Sequence, residues 1–223
     1  MRPFGTLLAL ATLVWPVLAG ADPVVSEAEQ RLFLDPHLSN AQGATTLRYR
    51  YAKTGTLEET YEDQVRVTLT PSSSAVAGRH AHVDYLSGAR ALTLPDLEAA
   101  LGNPVILFFL ERDVREMQRL TGGQAAYFRK RVRLALADAA QVRPISLDLA
   151  GGSVEGVEIL VRPYEQDTMR ARFPRFADKT YRFILSPQVP GMVVELQSAI
   201  AAPGGSGSAP LMQERLVYAG AEP

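Results

Sequence analysis

The sequence predicts an α+β domain in which a curved antiparallel β-sheet, half-barrel-like in layout, is covered by helices from residues 95–140. Three observations carry that prediction. Apolar and polar residues alternate with period two before residue 90, and the chain returns to short apolar-rich strand segments after Pro144. The middle of the chain changes to a helical period. Turn-forming Gly, Pro and Ser separate the apolar-rich late segments, as hairpins require.

The first 21 residues read as a secretory signal peptide. Arg2 gives a basic start, Thr6 to Leu18 is almost wholly apolar, and Ala19-Gly20-Ala21 offers a small-x-small cleavage site. Cleavage there leaves residues 22–223 as one domain in the periplasm or outside the cell. No later segment has the roughly 18 to 20 apolar residues of a membrane helix. The chain has no cysteine, so no disulfide braces it. With 23 basic against 24 acidic residues it lacks the basic excess of general nucleic-acid binders.

From Val25 to Leu34 the spacing predicts a helix, with Ser26 as N-cap and Glu29 completing a capping box. Leu47, Tyr49 and Tyr51 alternate with Arg48 and Arg50, and Val65, Val67 and Leu69 with Arg66, Thr68 and Thr70, giving two strands with one dry face. His80 to Leu86 predicts a third strand. Pro95 to Leu101 predicts a short helix, with Pro near its first turn and Gly102 after its end. Asn103 then caps a helix whose stripe is Ile106, Leu107, Leu110, Val114, Met117 and Leu120, with Glu111–Arg115 and Arg112–Glu116 paired along its other side. Val105, Phe108 and Phe109 fall off that stripe, so its first two turns need apolar cover on two sides.

Thr121-Gly122-Gly123 ends that helix, and another follows from about Gln124 to Ala140 with Ala125, Phe128, Val132, Ala135, Leu136 and Ala139 inward. Strands are predicted at 145–149, 157–161, 180–185, 192–197 and 211–218. Gly151-Gly152-Ser153 and residues 186–191 form the turns, 163–178 makes an irregular crossing, and 201–210 is a flexible loop of Gly, Ser, Ala and Pro.

The layout, a leader followed by a helix, long paired strands, a helical block and further strands, resembles the periplasmic half-barrel proteins, the group of the outer-membrane lipoprotein carrier and the sigma-factor regulator of envelope stress. LERDVREMQRLTGG together with YFRKR is also similar to an uncharacterised secreted bacterial family. The first resemblance implies a non-catalytic protein that binds a lipid or other acyl-bearing ligand between sheet and helices. A bound apolar ligand could equally supply one side of the cover that the first turns of the 104–120 helix need, which makes Phe108, Phe109, Leu110 and Phe128 the candidate ligand contacts.

A second reading starts from charge. Residues 112–133 carry Arg112, Arg115, Arg119, Arg129, Lys130, Arg131 and Arg133 against Asp113 and Glu116. That local excess makes Arg129, Lys130, Arg131 and Arg133 candidate contacts to an envelope protein or an anionic headgroup. A third reading, a hydrolase with an unrecognised site, has no assembled constellation. Gly151-Gly152-Ser153-Val154-Glu155 lacks the last glycine of a nucleophile elbow, and no phosphate-cradling loop occurs. His80-x-His82 has metal-like spacing on one side of a strand, but the sequence places no further ligand beside it. No cofactor or metal is assigned. The acid pairs Glu58-Glu59 and Glu62-Asp63 read as solvated charge.

Overall fold

The computed structural model describes residues 25–72, 78–149, 151–202 and 209–223, so the expected leader, residues 1–21, and most of the expected 201–210 loop lie outside the described residues. Ser26 caps α1 (Glu27–Glu29), accepting from the Glu29 amide while the Glu29 carboxylate accepts from the Ser26 amide. The helix runs on through a π-helical turn, Gln30–Leu34, and stops before Pro36.

Nine strands follow in one antiparallel sheet: β1 (Thr45–Thr54), β2 (Tyr61–Pro71), β3 (Arg79–Tyr85), β4 (Leu97–Ala100), β5 (Gln141–Leu149), β6 (Gly152–Val161), β7 (Thr180–Leu185), β8 (Val193–Ile200) and β9 (Met212–Glu222). Their order is β4-β3-β2-β1-β9-β8-β7-β6-β5, and the curved sheet does not close into a barrel. The last strand inserts beside the first, Tyr51 opposite Leu216 and Lys53 opposite Glu214, which joins the two halves of the chain.

Two helices, α2 (Pro104–Thr121) and α3 (Ala125–Asp138), interrupt the strands. Asn103 caps α2 by accepting from the Val105 amide, and Pro104 occupies a first-turn position where its missing N–H is harmless. Gly122 ends the helix in the left-handed region that a glycine adopts without Cβ strain.

The side chains that alternate inward from β1, β2 and β3, among them Leu47, Tyr49, Val67, Leu69 and Val83, pack with Val105, Ile106 and Phe109 of α2. A second cluster gathers Val114, Met117 and Phe128 with Tyr164, Phe173 and Phe176 of the irregular crossing. There Phe128, Tyr164 and Phe173 meet edge to face, with centroids 5.3–5.9 Å apart.

Four local expectations need correction. The 95–101 segment is not a helix: Leu97–Ala100 adds to the edge of β3, with Leu97 opposite Ala81 and Ala100 opposite Arg79. Sheet pairing overrides a helix-start signal over so few residues. The buried face of α2 is rotated from the predicted stripe, so that Leu107 is 57% exposed, while Val105 and Phe109 are buried as the expected two-sided cover requires. Ala139, expected inward, is exposed just beyond the end of α3. The predicted strand at 145–149 is longer and begins at Gln141.

Candidate functional site

Why the face of α2 is rotated becomes clear at Asp113. Three residues after Leu110 and four before Met117, it lies on the buried stripe and is wholly sealed from solvent. It accepts hydrogen bonds from Lys179 Nζ at 2.5 Å, Ser198 Oγ at 2.9 Å and the Tyr181 hydroxyl.

Two of those donors belong to a polar row that crosses five strands in register: Tyr61 opposite Lys53, Lys53 opposite Glu214, Glu214 opposite Ser198, Ser198 opposite Tyr181. Arg112 reaches the same row, donating to Glu214 and, at 3.0 Å, to the Tyr61 hydroxyl. Lys53 in turn donates to Glu116 at 2.7 Å and to Glu58. Arg119 donates to both of those carboxylates. Burial holds the Tyr181 hydroxyl far above its ordinary pKa, and the nearby Asp113 charge adds to the rise. Hydrogen bonds from Arg119 and Lys53 outweigh burial at Glu116 and hold its carboxyl well below the usual range.

Each charge in the row has a partner of opposite sign, so the row pins α2 to the sheet in one register. The predicted Arg112–Glu116 pair is replaced by these longer-range contacts. Glu111–Arg115 does form, at 3.3 Å, on the exposed side. A sequence signal for the row existed: Lys53, Ser198 and Glu214 sit at inward positions of alternating strands, and Asp113 on an apolar stripe.

With α2 seated in the curve of the sheet, the candidate ligand contacts separate. Phe109 and Leu110 are buried in the first core cluster, Phe108 packs against its margin, and Phe128 belongs to the second. Phe128 also lines a surface cleft of about 400 Å³ with Tyr127, Met169, Arg172 and Phe173 beside the Thr121–Gln124 turn.

Leu110 reaches a different place. Helix α1 packs on α3, where Ser26 Oγ donates to the Leu136 carbonyl at 3.0 Å, and α3 packs on α2. Between the three runs a groove of about 310 Å³, walled by Phe33, Leu107, Leu110, Val114, Val132 and Leu136. Glu29, Glu111, Arg129 and Arg133 complete its lining. Arg129 is held by Glu111, with Nη2 at 2.8 Å from Oε1. Arg131 faces Asp167 at 3.4 Å, whereas Lys130 and Arg133 make no ion pair among the described residues. Much of the positive excess of 112–133 is therefore met by Glu58, Glu111, Glu116, Asp167 and Glu214.

His80 and His82 do lie on one face of β3, and their neighbours are carboxylates. His82 Nδ1 is 2.7 Å from Asp96 and His80 Nε2 is 3.4 Å from the same residue. Among the described residues no group of three or more His, Asp or Glu is arranged around a metal position. No helix among them is long and apolar enough to cross a membrane.

No family model matches the chain, and neither does any curated protein. Among solved structures it is similar to the Mycobacterium tuberculosis lipoprotein LppX, over 82% of this chain and 90% of that one. The TM-score of 0.31 and 8% sequence identity make this a loose likeness from which no activity is transferred.

Proposed function

We propose that this chain is a non-catalytic protein of the bacterial envelope that holds an apolar or acyl-bearing ligand in the groove between α1, α2 and α3. The supporting observation is the groove itself. Its walls are aliphatic and aromatic, its volume of about 310 Å³ falls at the lower end of the range of small-molecule sites, and Leu107 stands largely in water beside it. An acyl chain laid there removes that surface from solvent, at about 0.8 kcal/mol for each buried methylene. Arg133 at the lining supplies a cation for a polar head. The space between sheet and helices, where the sequence placed the ligand, is filled by Val105, Ile106 and Phe109.

The test is saturable binding of an anthroyloxy-labelled fatty acid to the protein lacking residues 1–21. Leu107→Glu places a charge on an already exposed wall, so folding is retained while affinity falls by about tenfold or more, or about 1.4 kcal/mol. Leu101→Glu, exposed but outside the groove, leaves binding unchanged. Absence of saturable binding by the unmodified protein, or equal effects of the two substitutions, sinks the reading.

A further inference from the structure

The His80-x-His82 pair remains unexplained by the groove. Both imidazoles stand on the outer face of β3, where Thr70 and Thr68 of β2 lie opposite them. Across the other side of the strand comes Asp96, the residue before β4. Its Oδ1 is 2.7 Å from His82 Nδ1 and its Oδ2 is 3.4 Å from His80 Nε2, so one carboxylate spans both rings. His82 Nε2 is also 3.3 Å from Asp84, and His80 Nε2 is 3.9 Å from Glu98. The remaining charges near this face are Arg66, opposite Asp84 in the register, and Arg79, which is turned to the Thr70, Ala41 and Gly43 carbonyls. Three acids therefore surround the two rings.

The backbone attachment beneath this cluster is thin. Strand β4 has four residues and pairs with β3 at Arg79–Ala100 and Ala81–Leu97, with an irregularity between the two. Its far end walls a cavity of about 340 Å³, lined by Pro36, Leu38, Ala41, Arg79, Ala100 and Leu101. Leu101 also accepts from the Leu38 amide at 3.0 Å, two residues before the N-cap of α2.

We propose that His80, His82 and Asp96 form a proton-dependent clasp that holds edge strand β4 against β3 when His82 is charged. This goes beyond the groove reading and does not depend on it. With His82 protonated, both ring nitrogens donate, Nδ1 to Asp96 and Nε2 to Asp84. With His82 neutral, one of those bonds loses its proton and the ion pair disappears.

Hydrogen bonding to Asp96 raises the pKa of His82 above its ordinary 6.5, and the same contact lowers that of Asp96. The sign follows. A histidine whose pKa is raised by folding contributes fully below about 6.5 and loses that contribution as pH climbs through the raised value. The clasp is thus closed in mildly acidic solution and released on the alkaline side.

Amide hydrogen exchange on the unmodified chain, corrected for intrinsic rates, is measured over residues 97–101 at pH 6 and pH 8. Protection at pH 6 is expected to be about two- to fivefold greater, the size an exposed ion pair supports. His82→Gln and Asp96→Asn each abolish the difference, while the β8–β9 amides serve as an unresponsive reference. Imidazole NMR titration shows His82 moving back toward its ordinary value in Asp96→Asn. Equal protection at the two pH values overturns the proposal, as does a pH difference that persists in either variant.

Discussion

Lys179 Nζ donates to Asp113 Oδ1 at 2.5 Å, and both side chains are wholly closed off from solvent. The pair joins the middle of α2 to the residue just before β7, 66 positions along the chain. Removing one partner strands a charge in the interior. Asp113→Ala or Lys179→Met is expected to cost about 3 to 5 kcal/mol. The double variant Asp113→Leu with Lys179→Met, which removes both charges, recovers much of the loss. Urea midpoints at pH 7 decide it, and additive losses in the double variant contradict the pairing.

A second expectation contrasts two positions on the helices. Phe109 is buried against the inner face of the sheet, and Phe109→Ala should cost about 3 to 5 kcal/mol. Arg129, exposed and bridging to Glu111, should cost under about 1 kcal/mol when changed to alanine. The same denaturation series measures both. Comparable small shifts would remove α2 from the core.

His37 makes stability depend on pH. Its Nδ1 accepts from the Asn103 amide at 3.1 Å, which leaves Nε2 to donate to the Arg31 carbonyl at 2.7 Å. A ring bonded in that way is neutral, and burial lowers its pKa below 6.5. The unfolded chain therefore takes up the proton first. Stability contributed by His37 is complete above about 6.5 and declines as pH falls toward the lowered value. Melting temperatures from pH 8 to pH 4.5 should fall more steeply for the native protein than for His37→Gln. Parallel curves would show that the ring carries no such linkage.

Gly191 sits with φ at +75°, where a Cβ would come within 2.4 Å of Leu47 Cδ1 and 2.9 Å of Asn103 Nδ2. Its carbonyl accepts from that same Asn103 amide group, and its N–H donates to Asn40. Gly191→Ala is expected to cost about 2 to 5 kcal/mol, combining left-handed strain with overpacking. Gly43→Ala shares the positive φ but meets open space, so about 1 to 2 kcal/mol is expected there. Circular dichroism melts of the two variants separate strain from crowding.

Much of this fold was readable because each long element kept one period. Leu47, Tyr49 and Tyr51 alternate cleanly, and Asn103-Pro104 with Gly122 brackets α2 at both ends. The 97–100 strand was not readable, since four residues carry too little pattern to outweigh Pro95 and Gly102, and only the proximity of β3 makes them a strand. Leu107 was misplaced on α2 for a related reason. An apolar stripe drawn from hydrophobic residues alone cannot include Asp113, whose burial depends on Lys179, Tyr181 and Ser198 arriving from distant parts of the chain. The groove was hidden likewise: Leu110 was selected, but Phe33, Val132 and Leu136 join it only through the packing of three helices.

The two margins of the open sheet have a bearing on how the chain behaves in company. Unpaired strand edges invite another molecule to add on, and growth of that kind is the start of a fibril. Strand β4 is four residues long, too short a template to hold a foreign strand. Strand β5 is longer, but Pro144 in its middle has no N–H to offer, and Arg143 and Asp148 place charge along it. The molecule thus terminates its sheet by opposite devices at the two ends, brevity at one and an interrupted row of donors at the other, and a nine-stranded sheet left open in the fold is spared from lengthening in solution.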